Sequence, residues 1–215
     1  MRLDVLLVRK GYFSSRQKAK ECIKRGFVKV SGEVIRKPSF RVREDSEIEV
    51  LFREVPRGYW KLKEIDERMG LFSGDEIVLD LGSSAGGFML YASERSRYVI
   101  GVEFSENFRD ELKRIEEMRE NVRVFIADAF SFDIENLPEF DLILNDLTLP
   151  FSSSILALRR FLKKLKKGGR VLFVHKTGDG ETAEFPEFEV LSEMTSEDRK
   201  EKYYLLRPLD YQPSL

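Results

Sequence analysis

The chain has 215 residues, 42% hydrophobic and 35% charged, which suffices for one domain of ordinary size, a smaller second one and a well-solvated surface. Cys22 and His175 are the only residues of their types, which excludes a disulfide framework and a cysteine–histidine zinc cluster, and we predict no metal site. No apolar run approaches membrane-spanning length and the N-terminus lacks a signal-peptide core, so we expect a cytoplasmic protein.

The net charge of −1 conceals an asymmetry along the chain. Residues 1–53 hold 14 basic and 7 acidic side chains, whereas the remainder holds 23 basic and 31 acidic ones. A basic block ahead of an acidic one predicts two units, the first facing a polyanion. A merely solvated basic face is the alternative.

Helical spacing opens the basic block. Leu3, Leu6 and Leu7 lie on one face of a predicted helix that Gly11 ends. A second helix is predicted to start at a capping box formed by Ser14 and Gln17 and to end at Gly26. Its apolar face is predicted from three residues, Ala19, Cys22 and Ile23. A single basic stripe follows the other side at i, i+4 and i+8, namely Arg16, Lys20 and Lys24.

The periodicity then changes to two, which predicts a small sheet. Strand-like segments flank the turn signal Ser31-Gly32, and a further candidate covers 48–51. This pattern resembles the S4 RNA-binding domain, on the segments RLDVLL, SSRQKAKECIKRGFVKVSG and Lys37-Pro38-Ser39 followed by Val42, Asp45 and Ile48. The resemblance implies that structured RNA binds along the basic helix, with Arg and Lys on phosphates. Contact with protein alone is the other interpretation.

Alternating strand and helix patterns follow a short polar linker, predicted at 54–58. A helix is predicted over 60–69, and the alternation beyond it favours a mostly parallel sheet with helices on both faces, in a domain over 59–215. Two late strands without a helix between them are expected to pair antiparallel at one edge, as in Rossmann-like folds. The predicted strands are 76–81, 98–103, 122–127, 140–145, 170–175, 187–192 and 202–207, and the helices are 86–94, 106–119 and 152–167.

A glycine-rich turn follows the first of these strands, at a place where the backbone can approach a nucleotide-like ligand. Asp80, just before the turn, would repel a pyrophosphate and accept a cationic methionine moiety, which favours S-adenosylmethionine over a dinucleotide. Glu103 and Asp128 end the next two strands, where they are expected to accept from ribose hydroxyls and from an adenine amino group. The other candidate cofactor-binding residues are Gly82, Ser83, Ser84, Gly86, Gly87 and Phe88.

The fourth and fifth strands end in Asp146 and Lys176, which we expect to face the methyl group of the cofactor. The run Asn145-Asp146-Leu147-Thr148 lacks the Pro-Pro-aromatic continuation of amino-group methylases. Cysteine-based carbon methylation needs a second cysteine, which the chain lacks. A ribose oxygen is therefore the favoured acceptor, and a base remains an alternative.

With these strand ends in place, the core resembles the FtsJ-type ribose 2′-O-methyltransferases, and the whole chain resembles the TlyA (haemolysin A-like) family. The resemblance implies methylation of ribosomal RNA and a Lys–Asp–Lys–Glu set around the target hydroxyl. Three of its positions match Lys61, Asp146 and Lys176, and the fourth falls on Glu201 or on Lys202. Ala85 stands where the FtsJ type commonly has Pro.

This resemblance suggests direct methyl transfer, most of whose acceleration comes from alignment. Lys176 would orient the hydroxyl and help to deprotonate it, Asp146 would hold Lys176, and Lys61 would position the nucleotide or its phosphate. Two other classes remain open: a non-catalytic RNA-binding protein with this fold, and a pore-forming toxin, for which the sequence shows no long apolar face. The sequence does not indicate an oligomeric state.

Overall fold

A computed structural model describes residues 1–52, 55–178 and 180–209, and the chain divides into two compact units, Met1–Pro56 and Arg57–Leu215. Part of the predicted linker, residue 54, lies outside the described residues. The last two linker positions, Arg57 and Gly58, already belong to a helix.

The first unit combines two helices with a three-stranded antiparallel sheet in the order β2-β1-β3. Its two-residue turn, Ser31-Gly32, has positive φ at both positions, 51° and 84°, as a type I′ hairpin requires. The elements are α1 (Leu3–Arg9), α2 (Arg16–Arg25), β1 (Val28–Val30), β2 (Glu33–Val34) and β3 (Ile48–Val50).

Helix α2 starts one residue later than the predicted capping box. Ser15 is the N-cap, and its hydroxyl accepts from the backbone N–H of Lys18 over 3.3 Å, so the box of Ser14 with Gln17 is wrong. The reason is local, because the extended backbone of Ser15, with φ −153° and ψ 155°, aims its own oxygen into the first turn. The predicted end is confirmed, since Gly26 adopts the left-handed conformation there.

The second unit is an α/β domain whose elements follow the predicted alternation. Short 3₁₀ turns at Glu106–Phe108 and Leu162–Lys164 extend two of the helical segments. The helices are α3 (Arg57–Met69), α4 (Gly87–Ser93), α5 (Arg109–Met118) and α6 (Phe151–Phe161). The strands are β4 (Ile77–Leu81), β5 (Tyr98–Glu103), β6 (Val122–Ile126), β7 (Phe140–Asn145), β8 (Leu165–Lys176), β9 (Phe188–Ser196) and β10 (Glu201–Pro208).

Seven strands form one sheet in the order β6-β5-β4-β7-β8-β10-β9. The first five are parallel, and β10 runs antiparallel to both of its neighbours, which confirms the Rossmann-like fold class and the late antiparallel pair. From β4 the chain first builds outward through β5 and β6 and then returns to β7 on the other side. A crevice therefore opens at the carboxyl ends of β4 and β7, where such folds bind ligands.

One helix prediction extends too far. The segment expected to be helical over 152–167 leaves the α-helix after Phe161, and Leu165 already pairs with Phe140 as the first residue of β8. Gly168, at φ 78°, accompanies an irregular register in this pairing, so the strand starts well before the apolar run that signals it. Within the described ranges, no helix has the length and apolar character needed to cross a membrane.

Candidate active site

Four charged side chains form a closed ring at the carboxyl edge of the sheet. Lys61 Nζ lies 2.8 Å from Asp146 Oδ2 and 3.0 Å from Glu201 Oε1. Lys176 Nζ lies 2.6 Å from both Asp146 Oδ1 and Glu201 Oε1. The two lysines and two carboxylates thus alternate around the ring, and their formal charges cancel.

Strand geometry explains how three members of this ring meet. Asp146 follows β7 and Lys176 ends β8, so two parallel neighbours deliver them to one edge. Glu201 begins β10 and lies directly opposite Lys176 in the antiparallel register. Lys202 instead opposes His175 and is exposed, so the structure brings Glu201, not Lys202, into the ring.

The fourth member comes from helix α3. Lys61 is 8% exposed, and its ammonium lies 5.4 Å from the ring centroid of Phe88 and 5.7 Å from that of Tyr203. Two aromatic faces and two carboxylates therefore surround this cation. Lys176 is the more open lysine, with 25% of its side chain exposed against 10% for Lys61.

The charges of the ring hold one another in their ionised forms. Burial alone would lower the pKa of Lys176, but Asp146 and Glu201 outweigh it and raise that pKa above its ordinary value. Burial would raise the pKa of Glu201, yet hydrogen bonds from Lys176 and Lys61 lower it below the usual range. At neutral pH the ring therefore holds an ammonium at Lys176 beside a carboxylate at Glu201.

Tyr203 extends the ring and was not identified from the sequence. Its fully buried hydroxyl donates to Glu201 Oε2 over 2.7 Å, and burial together with that carboxylate raises the pKa of Tyr203 to about 12. The signal was available, because residues i and i+2 of one strand point to the same face. Tyr203 therefore holds the carboxylate of Glu201 through the oxygen that does not accept from Lys176.

The glycine-rich turn runs between β4 and α4 and contains a strained residue. Ser84 has φ 47°, a left-handed conformation that is uncommon outside glycine and that marks functional turns. Gly82, at φ 84°, passes so close to the next loop that a Cβ there would lie 2.9 Å from the carbonyl oxygen of Asp146. Ser83 is buried beneath the turn, and its hydroxyl donates to the carbonyl of Asp80 over 3.1 Å.

A cavity of about 540 Å³ opens beside this turn, a size that suits a small-molecule ligand. Most of the predicted strand-end residues line it. Three phenylalanines that the sequence patterns did not identify line it as well, and two of them are exposed, Phe104 at 75% and Phe130 at 41%. Exposed aromatic rings beside a cavity suit stacking against a base. The lining comprises Gly82, Ser84, Glu103, Phe104, Phe108, Asp128, Ala129, Phe130, Asp146, Leu147, Thr148, Leu149 and Lys176.

Five of the predicted cofactor-binding residues do not line this cavity. Asp80 and Ser83 lie beneath it, while Gly86, Gly87 and Phe88 form the start of helix α4. Gly86 adopts φ 76°, and a side chain there would overlap Ile115, so packing within the domain explains this glycine.

Glu103 and Asp128 both reach the cavity but already hold parts of the backbone. Glu103 is 8% exposed and accepts from the N–H groups of Ser84, over 2.7 Å, and Ser105, over 2.8 Å. Asp128 accepts from the N–H of Phe130 over 2.9 Å. Because each carboxylate oxygen has two lone pairs, both acids keep acceptor capacity for hydroxyl or amino groups of a ligand.

Asp80 is the strongest sign of a cationic ligand. Its side chain is completely buried, and neither of its oxygens has a hydrogen-bond partner among the residues that the structure describes. Burial raises the pKa of this carboxyl to about 8. A buried acceptor without a partner is costly and calls for an explanation, which a positively charged ligand nearby would supply. The site thus fits a nucleoside that carries a positive charge, as S-adenosylmethionine does.

The predicted RNA-binding residues lie in the first unit. Arg16 and Lys24 are exposed and Lys20 is half-buried, along one side of α2. Arg16 also donates to the buried carboxylate of Asp4 over 3.0 Å.

Comparisons with known proteins agree with both units. The family profile described as FtsJ-like methyltransferase matches residues 55–189, and the S4 domain profile matches residues 1–48. YqxC of Bacillus subtilis, provisionally named an rRNA methyltransferase, is 30% identical over 65% of this chain and 52% of its own length. The ribosomal RNA large subunit methyltransferase E of Bdellovibrio bacteriovorus is 32% identical over 50% of this chain and 64% of its own. The chain thus spans between about half and two thirds of the length of these curated relatives.

Solved structures support the fold. A protein of Streptococcus thermophilus, provisionally named a haemolysin, superposes with a TM-score of 0.59 at 22% identity, over 98% of this chain and 89% of its own. Fibrillarin of Aeropyrum pernix, crystallised with S-adenosyl-L-methionine, gives a TM-score of 0.57 at 22% identity, over 78% of this chain and 81% of its own.

Proposed function

The chain belongs to the FtsJ-like methyltransferase family, and from that premise we propose that it methylates ribose 2′-oxygens of RNA with S-adenosylmethionine as donor. The observation that carries the proposal is the ring of Lys61, Asp146, Lys176 and Glu201 at the rim of a nucleoside-sized cavity. Asp146 and Lys176 belong to the ring and to the cavity wall at once. The groups that handle an acceptor hydroxyl therefore lie beside the proposed cofactor site.

When bound, S-adenosylmethionine supplies a methyl group on a sulfonium that is already electrophilic. In the proposed arrangement, Phe104 and Phe130 would contact the adenine, and Glu103 and Asp128 would accept from the ribose and the adenine. The carboxyl of Asp80, whose pKa is about 8 in the free protein, would ionise beneath the turn when a cationic ligand binds. The strained Ser84 keeps its N–H on Glu103 and so holds that acid in place.

The residues of the ring then act on the acceptor. Lys176, the more exposed lysine, donates to the 2′-oxygen and fixes its direction, while Asp146 and Glu201 fix Lys176. After Lys176 has lost a proton to solvent, its Nζ accepts the proton that the hydroxyl loses on methylation. Lys61 is 8% exposed and its ammonium bridges the carboxylates of Asp146 and Glu201, so we propose that it orders these two acids in place of the contact to a nucleotide or phosphate expected from the sequence.

A ribose oxygen is favoured over a base nitrogen by the position of Asn145. This residue is completely buried, and its side-chain amide donates to Ser154 Oγ over 2.8 Å. The amide is therefore turned into the domain and cannot accept from the exocyclic amino group of a target base. The loop that follows, Leu147-Thr148-Leu149, offers no aromatic ring for stacking on such a base.

The first unit is proposed to hold the RNA, and ribosomal RNA is the proposed substrate. The exposed cations of α2, together with the basic composition of this unit, suit salt-dependent contacts to phosphates. Support for ribosomal RNA comes from the names of the two relatives and from the S4 profile match.

The proposal is tested by incubating the protein with methyl-labelled S-adenosylmethionine and a panel of bacterial 16S and 23S rRNAs and ribosomal subunits. Nuclease digestion and mass spectrometry of the labelled nucleosides are expected to yield 2′-O-methyl products. Lys176→Ala should abolish transfer while calorimetry still detects cofactor binding, and Lys202→Ala, an exposed lysine of the same strand pair, should leave transfer unchanged. Labelled base-methyl nucleosides would contradict the ribose assignment, and cofactor binding without transfer to any RNA would favour a non-catalytic RNA-binding protein.

A further inference from the structure

A completely buried carboxylate in the first unit holds two arginines together. Asp4 is 0% exposed at the start of α1. Its Oδ1 accepts from Arg2 Nε over 2.9 Å, and its Oδ2 accepts from Arg2 Nη2 over 3.2 Å and from Arg16 Nη2 over 3.0 Å. The Arg2 guanidinium, helped by Arg16, holds the pKa of Asp4 below its usual range, so the carboxylate stays ionised.

Both arginines keep donors for an external ligand. The side chain of Arg2 is 40% exposed and that of Arg16 is 53% exposed. A guanidinium carries five N–H donors, of which Asp4 engages two on Arg2 and one on Arg16. Because a buried anion fixes them, these two planar groups lose little further freedom when they bind an oxyanion.

A third arginine stands beside them. Arg41 pairs with Arg2 in an isolated antiparallel bridge, and directly opposed residues place their side chains on the same side of a ladder. Arg41 is exposed and makes no hydrogen bond or ion pair with the part of the chain that the structure describes. The three guanidiniums and the carboxylate of Asp4 together carry a formal charge of +2.

We propose that Arg2, Arg16 and Arg41 form a binding site for a backbone phosphate of RNA, with Asp4 as the positioning residue that fixes two of the three. Planar guanidiniums match the oxygens of a phosphodiester in a bidentate fashion. The site deepens the proposed function, on which it rests, by extending the contact surface from the stripe on α2 to Arg2, the N-cap residue of α1, and to Arg41. The basic composition of the unit favours a polyanion over a single carboxylate ligand.

The variant Asp4→Asn separates this proposal from simple electrostatics. Removing a negative charge from a basic surface should strengthen RNA binding if only net charge matters. If Asp4 positions the arginines, the same change should weaken binding about tenfold, because both guanidiniums lose a charge-assisted partner. Binding of the full chain to a 16S rRNA transcript, measured by filter binding from 50 to 300 mM KCl, gives the sign of the effect.

A second variant tests the site without removing a described contact within the protein. Arg41 has no described partner to lose, so Arg41→Gln should leave the protein folded, weaken RNA binding several-fold and reduce the slope of log affinity against log salt by about one. The matched control is Arg43→Gln, which removes a cation of the same unit whose side chain is 85% exposed and paired with Asp45. Circular dichroism checks the folding of every variant.

The site is overturned if folded Asp4→Asn binds RNA as tightly as the wild type or more tightly, or if Arg41→Gln and Arg43→Gln have equal effects. If Asp4→Asn fails to fold, the comparison of Arg41→Gln with Arg43→Gln decides. Absence of RNA binding by the wild-type chain would instead refute the RNA-binding part of the proposed function.

Discussion

Glu201 faces Lys176 directly across the antiparallel pair of β10 and β8, with Oε1 2.6 Å from Nζ. A backbone register, and not a flexible loop, thus sets the distance between a carboxylate and the lysine proposed to handle the acceptor. Tyr203, two residues along the same strand, secures the other oxygen of that carboxylate.

We expect Glu201→Gln to reduce methyl transfer by about 100-fold or more, since a neutral amide cannot hold two ammonium groups in one geometry. Cofactor affinity should change little, because Glu201 does not line the cavity. Single-turnover transfer and calorimetry measure the two effects. Glu193→Gln, an exposed acid on the adjacent strand β9, is the control, and equal losses in both variants would contradict the assignment.

The rate of transfer should rise with pH. Asp146 and Glu201 raise the pKa of Lys176, so the neutral amine that accepts the hydroxyl proton becomes more abundant as the solution becomes more alkaline. We expect single-turnover rates to increase by nearly tenfold per pH unit between pH 7 and 9, as for a base with a pKa above that window. A rate independent of pH across this range would show that proton removal by Lys176 does not limit transfer.

Asp80→Asn should stabilise the free protein in a pH-dependent way. In the wild type the carboxyl has a pKa of about 8 when folded and about 3.8 when unfolded, so folding takes up a proton between these values. The free energy of unfolding therefore falls as pH rises from about 4 to about 8, and the neutral amide removes that slope. Denaturant unfolding at pH 5 and pH 8 should show the variant gaining on the wild type at the higher pH.

The same substitution should weaken binding of S-adenosylmethionine more than binding of S-adenosylhomocysteine, which lacks the sulfonium charge. Calorimetry with both ligands tests this difference. Equal losses for the two ligands would indicate that Asp80 shapes the turn without sensing the charge.

Phe104→Ala should raise the dissociation constant for S-adenosylmethionine by about tenfold, the size expected for loss of one aromatic stacking partner. Stability should change little because this ring is 75% exposed. Phe40→Ala, which removes an exposed ring of the first unit, is the matched control. Unchanged cofactor affinity in Phe104→Ala would place the adenine elsewhere in the cavity.

Much of the candidate site could be predicted from the sequence because its charged residues lie at the ends of strands. Apolar runs located the strands, and in a parallel sheet their carboxyl ends meet, which predicted that Asp146 and Lys176 lie close together. Glu201 was harder to place, because a choice between neighbouring residues depends on strand register. A slip of one residue would have turned Lys202 into the site and Glu201 away from it.

Other features depend on contacts that local patterns do not encode. Asp4 and Arg16 are twelve residues apart, and only the packing of α1 on α2 makes their pairing visible. The early start of β8 is of the same kind, since pairing of Leu165 with Phe140 overrides a helical pattern. The exposure of Phe104 also follows from the folded turn and not from its neighbours in sequence.

Gly82 lies where the glycine-rich turn contacts the loop that carries Asp146. The turn proposed to hold the donor touches the backbone that carries Asp146, at a distance that leaves no room even for a methyl group. Any side chain at this position would displace the glycine-rich turn and the loop that carries Asp146 from each other. A substitution at Gly82 should therefore change the proposed cofactor site and the position of Asp146 at the same time.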